Sequence, residues 1–365
     1  MPTTHPIASR IAALAERLEH DGADAFFTFH GPNRRYLTGF TGSFGFVLFT
    51  REGERVLYTD SRYTEQAETE APDYRVVLLP GKSIWPPLGA DLARLGVKAL
   101  AVETEHASHK WFLEAAEHLP GVALVPTEQL AESQRMVKDG AELRALEEAQ
   151  RITDDVFHTL LDVIRPGIRE FDVATAMHHE VMKRGAQNLP GLPIVASGWR
   201  SALPHGRASE KVMERGEFVT LDFGVLVDGY RSDLTRTLVL GRADERQREI
   251  YGLVREAERR GIEAATAGRS GVEVDAVARS LIETSQHGAH CFKYGVGHGI
   301  GLDIHERPLL GPRCPDVLAP GIVTTIEPGI YIPGYGGVRT EDSVIVEERG
   351  NRTLSTLTTD MIEIA

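Results

Sequence analysis

Four carboxylates and one imidazole in the second half of the chain are of types that could hold metal ions: Asp222, Asp233, His298, Glu327 and Glu341. The segment FVTLDFGVLVDGYRSDLTRTLVL reads as a β-hairpin, because Asp228-Gly229 is a strong two-residue turn signal. Asp222 and Asp233 then lie on opposite arms, nearly equidistant from the turn, and each interrupts an apolar run. Pairing across the hairpin brings both within reach of one ion. Either one alone would pass for a surface aspartate on an edge hairpin. In GVGHGIGLDIHERP the glycines around His298 let the backbone pack closely and leave the imidazole room. The segment lacks the Lys-Ser/Thr of a phosphate loop and the spacing of a helical zinc-protease motif. VTTIEPGIYIP puts Glu327 in a β-like run broken by Pro328-Gly329. VRTEDSVIVEE puts Glu341 in another strand, with Arg339 on the same face. A buried carboxylate needs a partner or a metal, and a structural ion pair between Arg339 and Glu341 is the competing reading. An oxygen-rich set of this kind suits manganese, cobalt or zinc. Two adjacent ions bridged by carboxylates activate water and polarise a carbonyl, so the expected chemistry is hydrolysis.

The elements that must position these residues can be read from hydrophobic spacing. Up to about residue 130 short strands alternate with helices. Ile7, Ile11, Leu14 and Leu18 form the stripe of an amphipathic helix, FGFVLFT and RVLYTD are strands joined at Glu52-Gly53, YRVVLLPG and VKALAVE are two more, and 106–118 is a helix. We expect an N-terminal α/β domain over 1–130, a linker over 131–138 and a second domain over 139–365. Asp139 with Glu142 is a capping box that opens a long helix. Its stripe is Leu143, Leu146, Ile152, Val156, Leu160 and Val163, and Pro166-Gly167 ends it. A second helix closes at Gly185. About a hundred residues later another helix pair ends at Gly268 and Gly288-Ala289, again followed by acidic β segments. This weak repeat suggests two similar halves with a site between them.

Composition narrows the function further. With 365 residues, 42% hydrophobic and 25% charged, the chain can build a large core. A net charge of -13 disfavours nucleic acid or an anionic membrane as partner. Two cysteines, Cys291 and Cys314, are too few for a disulfide scaffold and suit a reducing cytoplasm. The N-terminus has no apolar run of leader type, and no stretch approaches membrane-spanning length. His178-His179 falls mid-helix and is expected to be exposed, and Cys291 is expected to be a small core residue.

The motifs SALPHG, LDFGVLVDGYRSDLTRT, GHGIGLDIHERP, IEPGIY and VRTEDS, in that order over 139–365, resemble the pita-bread metallopeptidases, specifically the branch of Xaa-Pro dipeptidases and Xaa-Pro aminopeptidases. NRRYLTGFTGSFG and DSRYTEQA resemble the small N-terminal domain of the same branch. The resemblance implies an α/β (α+β) architecture whose catalytic domain has pseudo-two-fold halves. It implies two divalent metal ions per subunit, manganese first, with cobalt or zinc as alternatives. Asp222 and Asp233 would bind one ion and His298 and Glu327 the other, with Asp233 and Glu341 bridging. His205 and His305 would contact substrate and stabilise the tetrahedral intermediate, Glu327 would handle the proton of the nucleophile, and Arg339 would orient the Glu341 side. It also implies a homodimer. Two departures stand out: Tyr294 occupies a position where many relatives carry histidine, and SGWRSALPHG replaces SGPNSALPHG, which makes Trp199 and Arg200 unusual. A cation beside the site could read the free carboxylate of a dipeptide, and Arg200 is the expected one, with Arg207 and Arg339 also considered. The expectation is therefore Xaa-Pro dipeptidase, with an aminopeptidase acting on longer peptides as the alternative and a non-catalytic binding protein of the same fold as the remote one.

Overall fold

Asp139 opens the longest helix, Gly140–Leu161, by accepting from the backbone N–H groups of Ala141 and Glu142 at 2.8 and 3.0 Å, while the Glu142 carboxylate accepts from Asp139 N–H. Asp139→Ala is expected to cost about 1 kcal/mol of stability, the usual loss for such a cap. Urea unfolding would measure it, and an unchanged midpoint would show that the cap is dispensable. Leu146, Ile152, Val156 and Leu160 are buried as the stripe requires. The second helix, Glu170–Lys183, ends where Gly185 takes a left-handed φ of 79°. The repeat appears in helices Glu245–Ala264 and Gly271–Glu283, which open on capping boxes at Asp244 and Ser270.

In this computed structural model, residues 6–365 are described, apart from Pro80, Lys82, Leu189 and Pro190. The first five residues, where the N-terminus was read as lacking an apolar leader, lie outside the described residues. The chain forms two compact units, Met1–Arg135 and Met136–Ala365. The first is built on a six-stranded mixed sheet in the order Arg75–Leu78, Arg55–Thr59, Phe46–Thr50, Ala25–Thr28, Ala99–Glu103, Ala123–Thr127. Ala25–Thr28 and Ala123–Thr127 were not foreseen. The former is a wholly buried central strand of four residues, too short and too uniformly apolar to show a period of two. Glu132–Arg135, within the stretch read as a linker, is a short helix whose Glu132 and Arg135 are buried.

The second unit contains two antiparallel-rich sheets, each covered by one helix pair. One sheet runs Ile362–Ile364, Leu234–Leu240, Phe218–Phe223, Ile194–Ser197; the other runs Glu306–Leu310, Gly297–Gly299, Val323–Ile326, Asp342–Val346, Asn351–Thr353. Val156, Val173 and Met177 pack on the first sheet around Val219 and Leu221. Val254, Val274 and Ile282 pack on the second around Ile326 and Val344. A bridge between Thr235 and Glu341 joins the two sheets. Among the described residues no helix is long and apolar enough to cross a membrane.

Candidate metal centre

The hairpin forms as its turn predicts: Asp228 and Gly229 both adopt positive φ, 46° and 80°, as a primed turn demands. Its register pairs Asp222 with Thr235. Asp233 is therefore the diagonal neighbour of Asp222 on one face rather than its direct opposite. The bridge from Thr235 carries the register on to Glu341, whose N–H donates to Thr235 O at 3.1 Å. Three strands thus place three carboxylates side by side.

Glycine brings the imidazole to them. A Cβ on Gly297 would lie 1.9 Å from the carbonyl oxygen of Thr325, and one on Gly299 would lie 2.3 Å from that of Arg307. Only glycines let the short His298 strand lie this close to its neighbours. His298 Nδ1 faces Gly299 O at 3.0 Å, which makes Nδ1 the protonated nitrogen and leaves Nε2 turned to the acids. Nε2 lies 3.3 Å from Glu327 Oε1 and 3.7 Å from Asp233 Oδ2. Single ligand atoms of Asp233, His298 and Glu341 lie within 4.8 Å of one another. Thr235 Oγ1 donates to Glu341 Oε2 at 2.6 Å, whereas Glu341 Oε1 is buried with no hydrogen-bond partner.

Electrostatics explain why such a nest needs cations. Burial, then the charge of Asp222, pushes the Asp233 carboxyl up to about 8. Burial and Asp233 push Glu341 well above the carboxylate range. Burial raises Asp222 too, against the pull of Arg339. Burial alone would lower the His298 imidazole, but the hydrogen bond and charge of Glu327, with Asp233, lift it to about 9. Burial also opposes ionisation of Glu327, yet His298 holds it below its ordinary value. Divalent ions would supply the positive charge that so many buried acids call for. The buried, unpartnered Glu341 oxygen and the oxygen-rich donors fit divalent ions.

Arg339 is placed differently from expectation. Its guanidinium pairs with Asp222, not with Glu341. Nη1 donates to Tyr331 Oη at 2.7 Å, and Nε donates to Thr235 Oγ1 at 3.2 Å, the hydroxyl that also holds Glu341. Tyr331 and Tyr294 share a further hydrogen bond of 2.7 Å between their hydroxyls. The unusual tyrosine thus ends a chain that runs Asp222–Arg339–Tyr331–Tyr294.

All five candidate ligands line one cavity of about 680 Å³, together with His205, His305, Tyr294 and Arg339. The His305 ring meets the His298 ring edge-on, with centroids 4.4 Å apart. Desolvation and the charge of His298 push the His305 imidazole below its usual value. The loop carrying His205 is anchored by Glu170, which is fully buried and accepts from Ser197 N and Oγ at 2.7 and 2.9 Å and from Ser209 N and Oγ at 3.1 and 2.6 Å.

Arg200 completes that anchor, and this corrects its expected role. Its guanidinium pairs with Glu170 and donates to Arg207 O at 2.8 Å, so it does not face the cavity. Trp199 is exposed and is likewise not part of the wall. The cationic side chains that do line the cavity, besides Arg339, are Arg207, Lys293 and Arg313. His178, expected to be exposed, is half-buried and lines it too, while His179 is exposed. Its spacing from Met177 and Val181, both in the wall, carried that signal. Cys291 is a buried core residue, as expected.

The model of metallopeptidase family M24 matches residues 144–348, and that of the Creatinase/Prolidase N-terminal domain matches 10–137. The chain belongs to metallopeptidase family M24. The structure of an Xaa-Pro dipeptidase from Bacillus anthracis superposes on this M24 peptidase with a TM-score of 0.94 at 39% identity, covering 98% of this chain and 99% of the other. An X-Pro aminopeptidase from Thermotoga maritima does so with a TM-score of 0.89 at 34% identity, covering 97% and 99%. An Xaa-Pro dipeptidase from Pyrococcus horikoshii is 32% identical over 97% of this chain and 98% of its own length. The M24 peptidase thus has the pita-bread fold, with its two similar halves facing across the nest.

Proposed function

We propose that this M24 peptidase hydrolyses the bond between an N-terminal residue and a following proline, and that dipeptides are its preferred substrates. The observation that carries the reading is the nest of Asp222, Asp233, His298, Glu327 and Glu341 at the wall of one cavity, with Asp233, His298 and Glu341 buried together at its centre. Asp222 and Asp233 would hold one divalent ion and His298 and Glu327 a second, with Asp233 and Glu341 shared between them. Manganese is the proposed native ion, and the donor set also accepts cobalt or zinc. When bound, such a pair supplies a water activated at neutral pH and polarises the scissile carbonyl.

The chain's own residues do the rest. Glu327 would hold the proton of the nucleophile. His305 and His205 would donate to the oxygen of the reacting carbonyl as it gains charge. Arg339 orients Asp222. Proline is rigid and its nitrogen carries no proton, so it asks for an apolar wall, and Ile304, Leu309 and the Tyr294 ring supply one. A dipeptide ends in a free carboxylate, and Arg207, Lys293 and Arg313 place positive charge where one could be met. The experiment is a comparison of Leu-Pro with Leu-Pro-Pro on manganese-loaded protein. Faster cleavage of Leu-Pro is expected, and faster cleavage of Leu-Pro-Pro would transfer the reading to an aminopeptidase.

The proposal extends to a cytoplasmic homodimer. Both cysteines are free, which suits a reducing compartment. A monomer mass by light scattering would remove the dimer.

A further inference from the structure

We propose that the first unit carries a separate divalent-metal site of the zinc class, formed by His30, His106 and Glu132. His30 and His106 leave the same end of two neighbouring strands. Ala25–Thr28 and Ala99–Glu103 run parallel, and each histidine follows its strand within three residues. Glu132 opens the short helix Glu132–Arg135 and faces both. The two imidazoles lie face to face, with centroids 3.6 Å apart and planes 7° from parallel. His106 Nε2 lies 2.9 Å from Glu132 Oε1, and single ligand atoms from the three residues lie within 4.8 Å of one another.

Two observations point to a ligand rather than to a plain polar network. Glu132 is 8% exposed, and its Oε2 is buried with no hydrogen-bond partner. A buried carboxylate oxygen left in this way loses its hydration with nothing in return. Secondly, the two imidazoles stack beside the same carboxylate, so that a ring nitrogen of each lies within 4.8 Å of a Glu132 oxygen. The surroundings are held in place. Asn33 Nδ2 donates to Glu132 Oε1 and to Glu103 Oε1, each at 2.6 Å, and Asn33 Oδ1 accepts from Arg135 at 2.7 Å.

The donors define the class of ion. Two imidazoles and one carboxylate suit Zn²⁺ and its neighbours, whereas magnesium and calcium want oxygen only. With metal–ligand bonds of about 2.0–2.2 Å, neighbouring donors in a tetrahedral site lie roughly 3.3 Å apart, a spacing that falls within the 4.8 Å span of the three groups. The fourth position would go to water, because both histidines are only half-buried. Such an ion would tie together chain positions separated by 76 and 26 residues, the second separation being that of the His106–Glu132 pair.

The test uses metal-stripped full-length protein titrated with Zn²⁺ alone by equilibrium dialysis. Wild type is compared with His30→Gln and His106→Gln, whose folding is checked by circular dichroism and by manganese-supported Leu-Pro cleavage. Each variant should bind one equivalent fewer than wild type while its cleavage is unchanged. Equal zinc uptake by wild type and both variants would overturn the site. Should either variant fail to fold, histidine modification in wild type decides. Zn²⁺ should protect His30 and His106 from diethyl pyrocarbonate, as read by peptide mass spectrometry, and unprotected histidines would overturn it equally.

Discussion

Glu341→Gln should abolish manganese-supported cleavage of Leu-Pro, with kcat/KM falling by about three orders of magnitude or more. Two paired ions contribute several kcal/mol to such a reaction, and each 1.36 kcal/mol is tenfold in rate. The glutamine keeps the shape and can still accept the 2.6 Å bond from Thr235. It removes the negative oxygen that lies buried without a partner. The same change should stabilise the metal-free protein, because glutamine is neutral without taking up the proton that a buried Glu341 needs beside Asp233. The sign with pH follows from the raised pKa of Glu341. Between its unfolded value near 4.5 and its higher folded value, the folded chain binds the extra proton, so wild-type stability falls as pH rises through that window. The variant has no such proton to lose. Its metal-free melting temperature should overtake that of wild type as pH rises above about 4.5. Full activity in Glu341→Gln, or a metal-free variant less stable than wild type at pH 7, would remove Glu341 from the centre.

Arg339→Leu should be the most destabilising single change around the site. Removing one partner from a buried ion pair costs about 3–5 kcal/mol, because the survivor stays buried and uncompensated. Here the survivor is Asp222, and Tyr331 and Thr235 lose a donor as well. Arg339→Lys keeps the charge but cannot span three acceptors, so it should recover part of the stability and little of the geometry. Since Asp222 would then be poorly oriented, manganese affinity should fall roughly 10–100-fold. Calorimetric melting with a manganese titration separates the two effects. A lysine variant with wild-type affinity would show that the fork of Arg339 is not what orients Asp222.

Much of this site could be read from the chain because its signals are local. The Asp228-Gly229 turn announces its hairpin, and apolar runs on both sides make Asp222 and Asp233 conspicuous. The glycines framing His298 likewise announce a tight approach, which the neighbouring carbonyls of Thr325 and Arg307 make concrete. What stayed hidden depends on partners far along the chain. The register that offsets Asp222 from Asp233 only shows once the arms are paired. Arg200 looked available as a reader of substrate, yet its partner Glu170 lies 30 residues earlier on another helix. Arg339 was assigned to the side of Glu341, whereas the closer acid in space is 117 residues away. Ala25–Thr28 escaped notice because a buried central strand has no polar alternation to betray it.

The nest is assembled from both halves of the second unit, and its last carboxylate precedes the strand Asp342–Val346. A chain still being made on the ribosome therefore has Asp222 and Asp233 long before it has Glu341. Until that strand emerges and pairs beside Val323–Ile326, the proposed ligand set would be incomplete. On the proposed ligand set, partial translation products and fragments cut within the second half would lack hydrolytic capacity, which would arrive together with the finished fold.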